Sequence, residues 1–134
     1  PNIESIINSE IYKLTIDNNI VYIHLWHKQL TYENCIINIE YIKDNNNITI
    51  DDNNNIHYEY YNTFNYITTL LNNNNNNNLN IYLLNINIFI PIEELKIKKR
   101  QVYKIKNKGL PKINYNDIFD NSTKCDINVY INLS

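Results

Sequence analysis

Six short segments of this chain are rich in isoleucine and tyrosine, and most of them alternate apolar with polar side chains. They are residues 11–16, 20–26, 35–42, 81–91, 101–106 and 126–133. Successive side chains of a strand point to opposite faces, so this period buries one face of a sheet and leaves the other in solvent. β-Branched and aromatic side chains also suit a pleated surface. The pattern therefore predicts an all-β fold, a small sandwich or partly open barrel of about six strands.

The connections between these segments predict one hairpin and one short helix. The first two segments are separated by Asp17, Asn18 and Asn19, and asparagine tolerates the left-handed conformation that a tight hairpin turn needs. The alternation stops at residues 30–34. There, Thr31 can act as the N-cap of one or two helical turns, with Glu33 near the positive end of the helix dipole.

Asparagine dominates the middle of the chain. The sequence has 30 asparagines, and residues 72–78 form an unbroken run of them. Such tracts bury too little apolar surface to offset the entropy lost on ordering. We therefore expect one domain, residues 1–134, with a low-complexity insertion at about 43–80 that is least ordered around 72–78. Residues 56–71 are more aromatic than a linker, and we expect them to form an extra strand or a short helix packed on the domain surface.

Few residues could carry catalysis or bind a metal. The only histidines are His24, His27 and His57, and the only cysteines are Cys35 and Cys125. Two histidines three residues apart converge on a helix but not on a strand, and two cysteines are too few for a structural zinc site. We expect surface or partly packed histidines, and cysteines that are either reduced and buried or joined in one disulfide. The sequence therefore predicts a non-enzymatic protein without cofactor or metal.

The strongest charge feature is the stretch 96–112, which holds eight of the 12 basic residues and no acidic residue. The candidate basic contact surface consists of Lys96, Lys98, Lys99, Arg100, Lys104 and Lys106. Such a surface can bind phosphate groups or an acidic peptide, and it is equally typical of a solvated strand in a lysine-rich chain. On a strand at 101–106, Lys104 lies on the same face as Val102, and Tyr103 points to the other face.

Gly109 is the only glycine among the 134 residues. It lies between Asn107 and the Leu110-Pro111 pair. Glycine adopts backbone conformations that other residues avoid, and proline fixes φ, so this stretch predicts a structural turn at Asn107, Gly109 and Pro111. We expect a positive φ at Gly109 and a left-handed conformation at Asn107.

The sequence around this turn resembles the C-terminal β-domains of J-domain chaperones, the DnaJ or 40-kDa heat-shock family. That family ends a strand with Ile-Pro, as at residues 90–91, and follows the next strand with a turn like Lys-Asn-Lys-Gly-Leu-Pro, as at 106–111. Its last strand begins with a Gly-Asp-Leu-Tyr-Val-type pattern, which is similar to 125–129. An opening Asp-Gly-Asn-Asp-Leu pattern resembles 17–21, and a helix pattern Leu/Phe-Thr-x-x-x-Leu resembles 30–35. The order of elements is most similar to the second C-terminal domain.

The resemblance implies a non-enzymatic co-chaperone segment that holds or orients unfolded client polypeptides for a DnaK-type ATPase. A J-domain outside this chain would contact that ATPase, and the parent protein could be a homodimer. The family's glycines after Ile-Pro are missing here, Cys125 replaces another glycine, and the chain has no His-Pro-Asp motif and no CxxCxGxG repeat. The alternative is a nucleic-acid-binding β-domain that uses 96–112. No apolar run has the length of a membrane span and no signal peptide is visible, so we expect no membrane contact. The sequence does not give the compartment, and the cytoplasm is favoured.

Overall fold

The computed structural model describes residues 1–32, 35–43, 47–72 and 78–134. Within these ranges the chain forms ten strands and two short α-helices, which confirms the predicted all-β class but with more strands than expected. The elements are α1 (Ile3–Ile7), β1 (Ile11–Ile16), β2 (Asn19–His24), β3 (Gln29–Tyr32), β4 (Cys35–Asn38), β5 (Ile48–Ile50), β6 (Ile56–Asn62), α2 (Phe64–Leu71), β7 (Asn78–Leu83), β8 (Ile86–Pro91), a 3₁₀ turn (Ile92–Glu94), β9 (Arg100–Ile105) and β10 (Ile127–Leu133).

The largest sheet has four strands in the order β5-β6-β10-β9. β6 and β10 run parallel, with Ile56 opposite Ile127, and the other pairs are antiparallel. Along β10 every second residue, from Ile127 to Leu133, is buried, as the alternating sequence predicts. The buried faces of the β7–β8 hairpin and of α1 belong to the same core, so the core lies on one side of this sheet.

The structure corrects the prediction for residues 43–80. Residues 56–62 form β6, an inner strand of the main sheet, and Ile56 is fully buried. The expected extra strand is thus present at 56–62, but its expected surface position is wrong, because pairing on both edges of the strand stabilises a segment whose flanking sequence looks unstructured. A helix does follow, at 64–71. Residues 73–77, where we expected the least order, lie outside the described residues.

Two hairpins share one kind of turn. The predicted β1–β2 hairpin is confirmed, and its turn residues Asp17 and Asn18 have φ of 48° and 68°. The β7–β8 hairpin turns at Leu84 and Asn85, with φ of 49° and 67°. Two consecutive left-handed residues match the right-handed twist of the flanking strands, which is why such turns connect hairpins.

The helix predicted at 30–34 is wrong. Leu30 and Thr31 belong to β3, where Leu30 is buried opposite Ile37 of β4, while residues 33–34 lie outside the described residues. Pairing with β4 and burial of Leu30 outweigh the capping preference of threonine, which is a weak local signal.

The helices lie elsewhere, and each begins at a side-chain cap. Asn2 Oδ1 accepts a hydrogen bond from Ser5 N at the start of α1, and Thr63 Oγ1 accepts one from Tyr66 N at the start of α2. Such caps satisfy amide groups that have no partner within the helix. Among the described residues, no helix is long and apolar enough to cross a membrane.

Gly109 is required by close approach and not by its φ angle. Its φ is not positive, so our expectation of a left-handed glycine is wrong, whereas Asn107 does have the expected left-handed conformation, with φ of 62°. A Cβ atom on Gly109 would lie 3.1 Å from the carbonyl oxygens of both Cys125 and Asp126. Gly109 N donates to Cys125 O at 2.8 Å, and Cys125 N donates to Leu110 O at 2.7 Å. The chain needs glycine here because two backbones pass each other without room for a side chain.

Candidate functional site

An apolar cleft lies between α2 and the segment that follows β8, which we call the α2 cleft. Its volume is about 300 Å³. All but two of its lining side chains are apolar. They are Phe64, Ile67, Thr68 and Leu71 from α2, Ile92, Leu95, Lys96 and Ile97 from the segment after β8, and Leu133 from β10.

The first wall of the α2 cleft is one face of α2. Phe64, Ile67 and Leu71 are spaced three and four residues apart, so they lie on the same side of the helix. Ser134 fixes the start of the helix to the end of β10, since its carbonyl accepts from Phe64 N and its amide donates to Asn62 O, both at 3.1 Å. The helix is therefore held at the edge of the sheet, with its apolar face toward the second wall.

The second wall is a short loop braced by hydrogen bonds. Ile92 is buried, and its carbonyl accepts from Leu95 N at 2.9 Å. The Gln101 side chain accepts from Lys96 N at 2.9 Å and donates to Lys96 O at 2.7 Å. These bonds fix the backbone directly before Ile97, which is 93% exposed. An isoleucine is thus held in solvent by an ordered frame.

The α2 cleft is suited to binding an apolar group. Its volume is at the lower end of the range for ligand pockets and can accommodate a large apolar side chain. Leu71, 55% exposed, and Ile97 stand at its rim, while Ile67 and Ile92 are buried at its base. Among the described residues that line the cleft, Lys96 is the one charged residue, and none carries a carboxylate, imidazole or thiol. These groups offer contact area and no acid, base or nucleophile other than an amine.

The six predicted basic residues are all exposed, but they do not form one cluster. Arg100 and Lys104 lie on the outer face of β9, and Tyr103 packs on the core, as the alternation predicts. Lys96 lines the α2 cleft, Lys98 and Lys99 lie in the loop before β9, and Lys106 follows the strand. Because β9 has six residues, these groups are spread over roughly 20 Å.

The Arg100 side chain is already engaged in contacts within the chain. Its Nη2 lies 2.6 Å from Glu59 Oε1, and its guanidinium stacks over the Tyr130 ring at 4.9 Å. The Asn132 side chain donates to the other oxygen of Glu59 at 2.8 Å. The outer face of the sheet therefore offers less free positive charge than the sequence suggests.

A network that the sequence did not predict joins β6, β10 and the turn before β6. His57 Nε2 lies 2.9 Å from Asp51 Oδ2, and His57 Nδ1 lies 2.8 Å from the Tyr130 hydroxyl. Asp51 Oδ1 accepts from the amides of Asn53 and Asn55, each at 2.9 Å. Burial alone would raise the pKa of Asp51, but the hydrogen bonds from His57 and the turn outweigh it and lower that pKa. The network fastens the turn, and Tyr130 is too distant in sequence to have suggested it.

Two of the three histidines are buried, which corrects the expectation of surface or partly packed rings. His24 is 1% exposed and His27 is 3% exposed, and both lie against Trp26. Across the described ranges, no group of three histidine, cysteine or acidic side chains is placed to bind a metal ion.

The cysteines are both free. Of the two alternatives left by the sequence, the structure thus shows the thiols and not the disulfide. Cys125 is buried and donates to Asn53 O at 3.2 Å. Its burial, together with the nearby Asp126 carboxylate, raises the pKa of the thiol, which makes it a poor nucleophile at neutral pH.

No protein-family model matches this chain, and no curated protein matches it. The likeness to the J-domain chaperone family therefore stays a prediction from the motifs quoted above. The function of the site is therefore inferred from its geometry.

Proposed function

We propose that this chain is the polypeptide-holding part of a co-chaperone, and that the α2 cleft binds apolar side chains of unfolded clients. The observation that carries the proposal is the exposure of Leu71 and Ile97 beside a buried apolar base. Apolar side chains that an ordered frame keeps in solvent, next to a cavity, are typical of interaction surfaces. A client is an extended polypeptide, so the cleft would take one large aliphatic or aromatic side chain at a time.

The resemblance to J-domain chaperones supports this proposal. Residues 90–91 end β8, residues 106–111 follow β9, and residues 125–129 include the start of β10. The family's short helix is not found at Thr31, since residues 30–32 belong to β3.

In this proposal a J-domain elsewhere in the parent protein recruits a DnaK-type ATPase, and this chain presents the client to it. A homodimeric parent would present two such clefts.

The test is binding of a permanently unfolded protein, reduced and carboxymethylated α-lactalbumin, to the whole chain. We expect Ile97→Asp and Leu71→Asp each to weaken binding about tenfold or more, because burying one such side chain contributes about 1.5–3 kcal/mol. Ile42→Asp is the matched control, since Ile42 is 57% exposed and lies outside the cleft lining. Unchanged binding in both cleft variants would refute the role of the α2 cleft.

A second proposal is nucleic-acid binding by the outer face of β9. It is favoured by the exposed Lys104 beside Val102 and by Tyr130 on the neighbouring strand, although Glu59 occupies Arg100. Phosphate contacts make affinity fall steeply with salt, whereas capture of apolar groups does not weaken in this way. A salt titration with single-stranded DNA and with the unfolded protein would separate the two. Binding of DNA that is lost in Lys104→Glu but kept in Ile97→Asp would favour this second proposal.

A further inference from the structure

A cluster of four aromatic rings lies where β2 ends. The His24 ring contacts Trp26 edge-to-face at a centroid distance of 5.4 Å and Phe119 at 4.6 Å. His27 lies 5.7 Å from Trp26 and 6.5 Å from His24. Phe119 comes from the loop at residues 114–120, so this loop covers the cluster and is far from it in sequence.

The loop is a unit with its own hydrogen bonds. Asp117 N donates to Asn114 O, Phe119 N donates to Asp117 Oδ1, and the Asn114 side chain donates to Asp120 Oδ2. Its base is closed by Lys112 N, which donates to Thr123 O at 2.7 Å. A loop that is braced internally and tied at its base can move away from the cluster without losing those bonds.

The surroundings of the His24 and His27 rings favour the neutral form of imidazole. Both ring nitrogens of His24, and Nε1 of Trp26, are buried without a hydrogen-bond partner. His27 Nε2 lies 3.1 Å from Ile118 O, and because a carbonyl only accepts, this nitrogen carries the proton. A protonated His24 would bury a charge with two N–H groups and no acceptor, which is strongly unfavourable.

The charged groups around His24 come from three elements. Its own turn contributes His27, whose protonated ring would repel it, and the loop contributes the Asp117 carboxylate, which attracts a proton to it. From β1, Ile11 lies opposite His24, and Lys13 is the charged residue on the same face of that strand pair. Burial, then repulsion by His27, lowers the pKa of His24 despite Asp117. Burial also lowers the pKa of His27, against the bond to Ile118.

We propose that His24 is a pH-sensitive latch, which holds the 114–120 loop closed over the His24 and His27 rings at neutral pH and releases it on mild acidification. When the loop moves away, water reaches the His24 ring and its pKa returns toward the ordinary value of 6.5. The open form then binds a proton that the closed form excludes. Opening is therefore favoured as the pH falls below 6.5, by about tenfold per pH unit until the closed form itself is protonated.

Trp26 is the only tryptophan of the chain, and its ring contacts both His24 and His27, so its fluorescence responds when the loop exposes those rings. The experiment measures acrylamide quenching of its fluorescence from about pH 8 to about pH 5, with far-ultraviolet circular dichroism as the check that the fold persists. We expect the quenching constant to rise severalfold below pH 6.5 while the circular dichroism stays constant. A quenching constant that does not change with pH, or one that rises only as secondary structure is lost, would overturn the latch.

Three variants make the test specific. His24→Phe keeps an aromatic ring and removes one of the two titrating histidines of the cluster, so its quenching should depend less on pH than that of the unchanged chain. His57→Gln removes a histidine outside the cluster and should keep the transition. Asp117→Asn removes the charge that favours a proton on closed His24, so the loop should open further at low pH, which keeps the proposal testable if His24→Phe does not fold. A transition unchanged in Asp117→Asn, or undiminished in His24→Phe, would contradict the proposal.

Discussion

The side-chain amide of Asn54 donates a hydrogen bond of 2.7 Å to the carbonyl oxygen of Trp26. The same nitrogen lies 3.1 Å from Pro111 O. Asn54 is buried and left-handed, with φ of 63°, so one residue joins the turn before β6 to two segments that are distant in sequence. Asparagine fits here because it tolerates that φ and carries two donor hydrogens.

Replacing Asn54 should therefore destabilise the fold. Asn54→Gly keeps the backbone conformation and removes both hydrogen bonds, so we expect a loss of about 2 kcal/mol from two buried carbonyls left without this donor. Asn54→Ala should cost more, since alanine also resists a positive φ. Urea denaturation followed by circular dichroism measures both values, with the exposed Asn53→Ala as control. Equal stability of Asn54→Gly and the unchanged chain would show that the two bonds contribute little.

Any larger side chain at position 109 should destabilise the fold. A Cβ atom would press on the backbone of Cys125 and Asp126, which cannot move without breaking the pairing that leads into β10. We expect Gly109→Ala to cost about 1 kcal/mol and Gly109→Val about 3 kcal/mol, the range of overpacking. The exposed neighbour variant Lys108→Ala should change the free energy of unfolding by less than about 0.5 kcal/mol. A stabilising Gly109→Ala would show that the two backbones separate easily.

The carboxylate of Asp51 should make the free energy of unfolding depend on pH in the acidic range. Its pKa is lowered in the folded state, so it stabilises the fold above the ordinary value of 3.8, and this contribution is lost as the pH falls through the lower folded pKa. We expect Asp51→Asn to be less stable than the unchanged chain at about pH 6 and to approach it at about pH 2.5. Urea denaturation at both pH values checks this. A difference that is the same at both would mean that the Asp51 charge plays no part.

Thr63 should control the helix that forms the first wall of the α2 cleft. Thr63→Ala removes the acceptor for Tyr66 N, and loss of such a cap costs about 1 kcal/mol. Thr63→Ser keeps the hydroxyl and should behave like the unchanged chain. Thr69→Ala lies within the helix and is the control for loss of a threonine side chain. Unfolding in urea gives stability, and binding of the unfolded probe should weaken in Thr63→Ala alone.

Local features were predictable from the sequence, and pairing between distant segments was not. The β1–β2 hairpin and the left-handed Asn107 follow from turn residues that act within a few positions. β6 was misplaced because its neighbours β5 and β10 decide its position, and asparagine tracts on both sides conceal it. Leu30 was assigned to a helix because burial against β4 cannot be read from residues 30–34 alone.

The α2 cleft was also missed, although part of its signal is present in the sequence. Thr63 followed by Phe64, Ile67 and Leu71 has the cap and spacing of a helix with one apolar face. The second wall comes from residues 92–97, and no local pattern links it to that helix. A run of basic residues can be recognised in a sequence, whereas a cleft depends on which distant segments meet in the fold.

The parallel pairing of β6 with β10 has a consequence for folding during synthesis. More than half of the 134 residues separate Ile56 from its partner Ile127, so the central pair of the sheet cannot form until the ribosome has synthesised β10. Until then the apolar side of β6 has no permanent cover, and contacts of such long range form slowly. The segment that we propose to hold unfolded polypeptides is thus itself exposed as an unfolded polypeptide during its own synthesis.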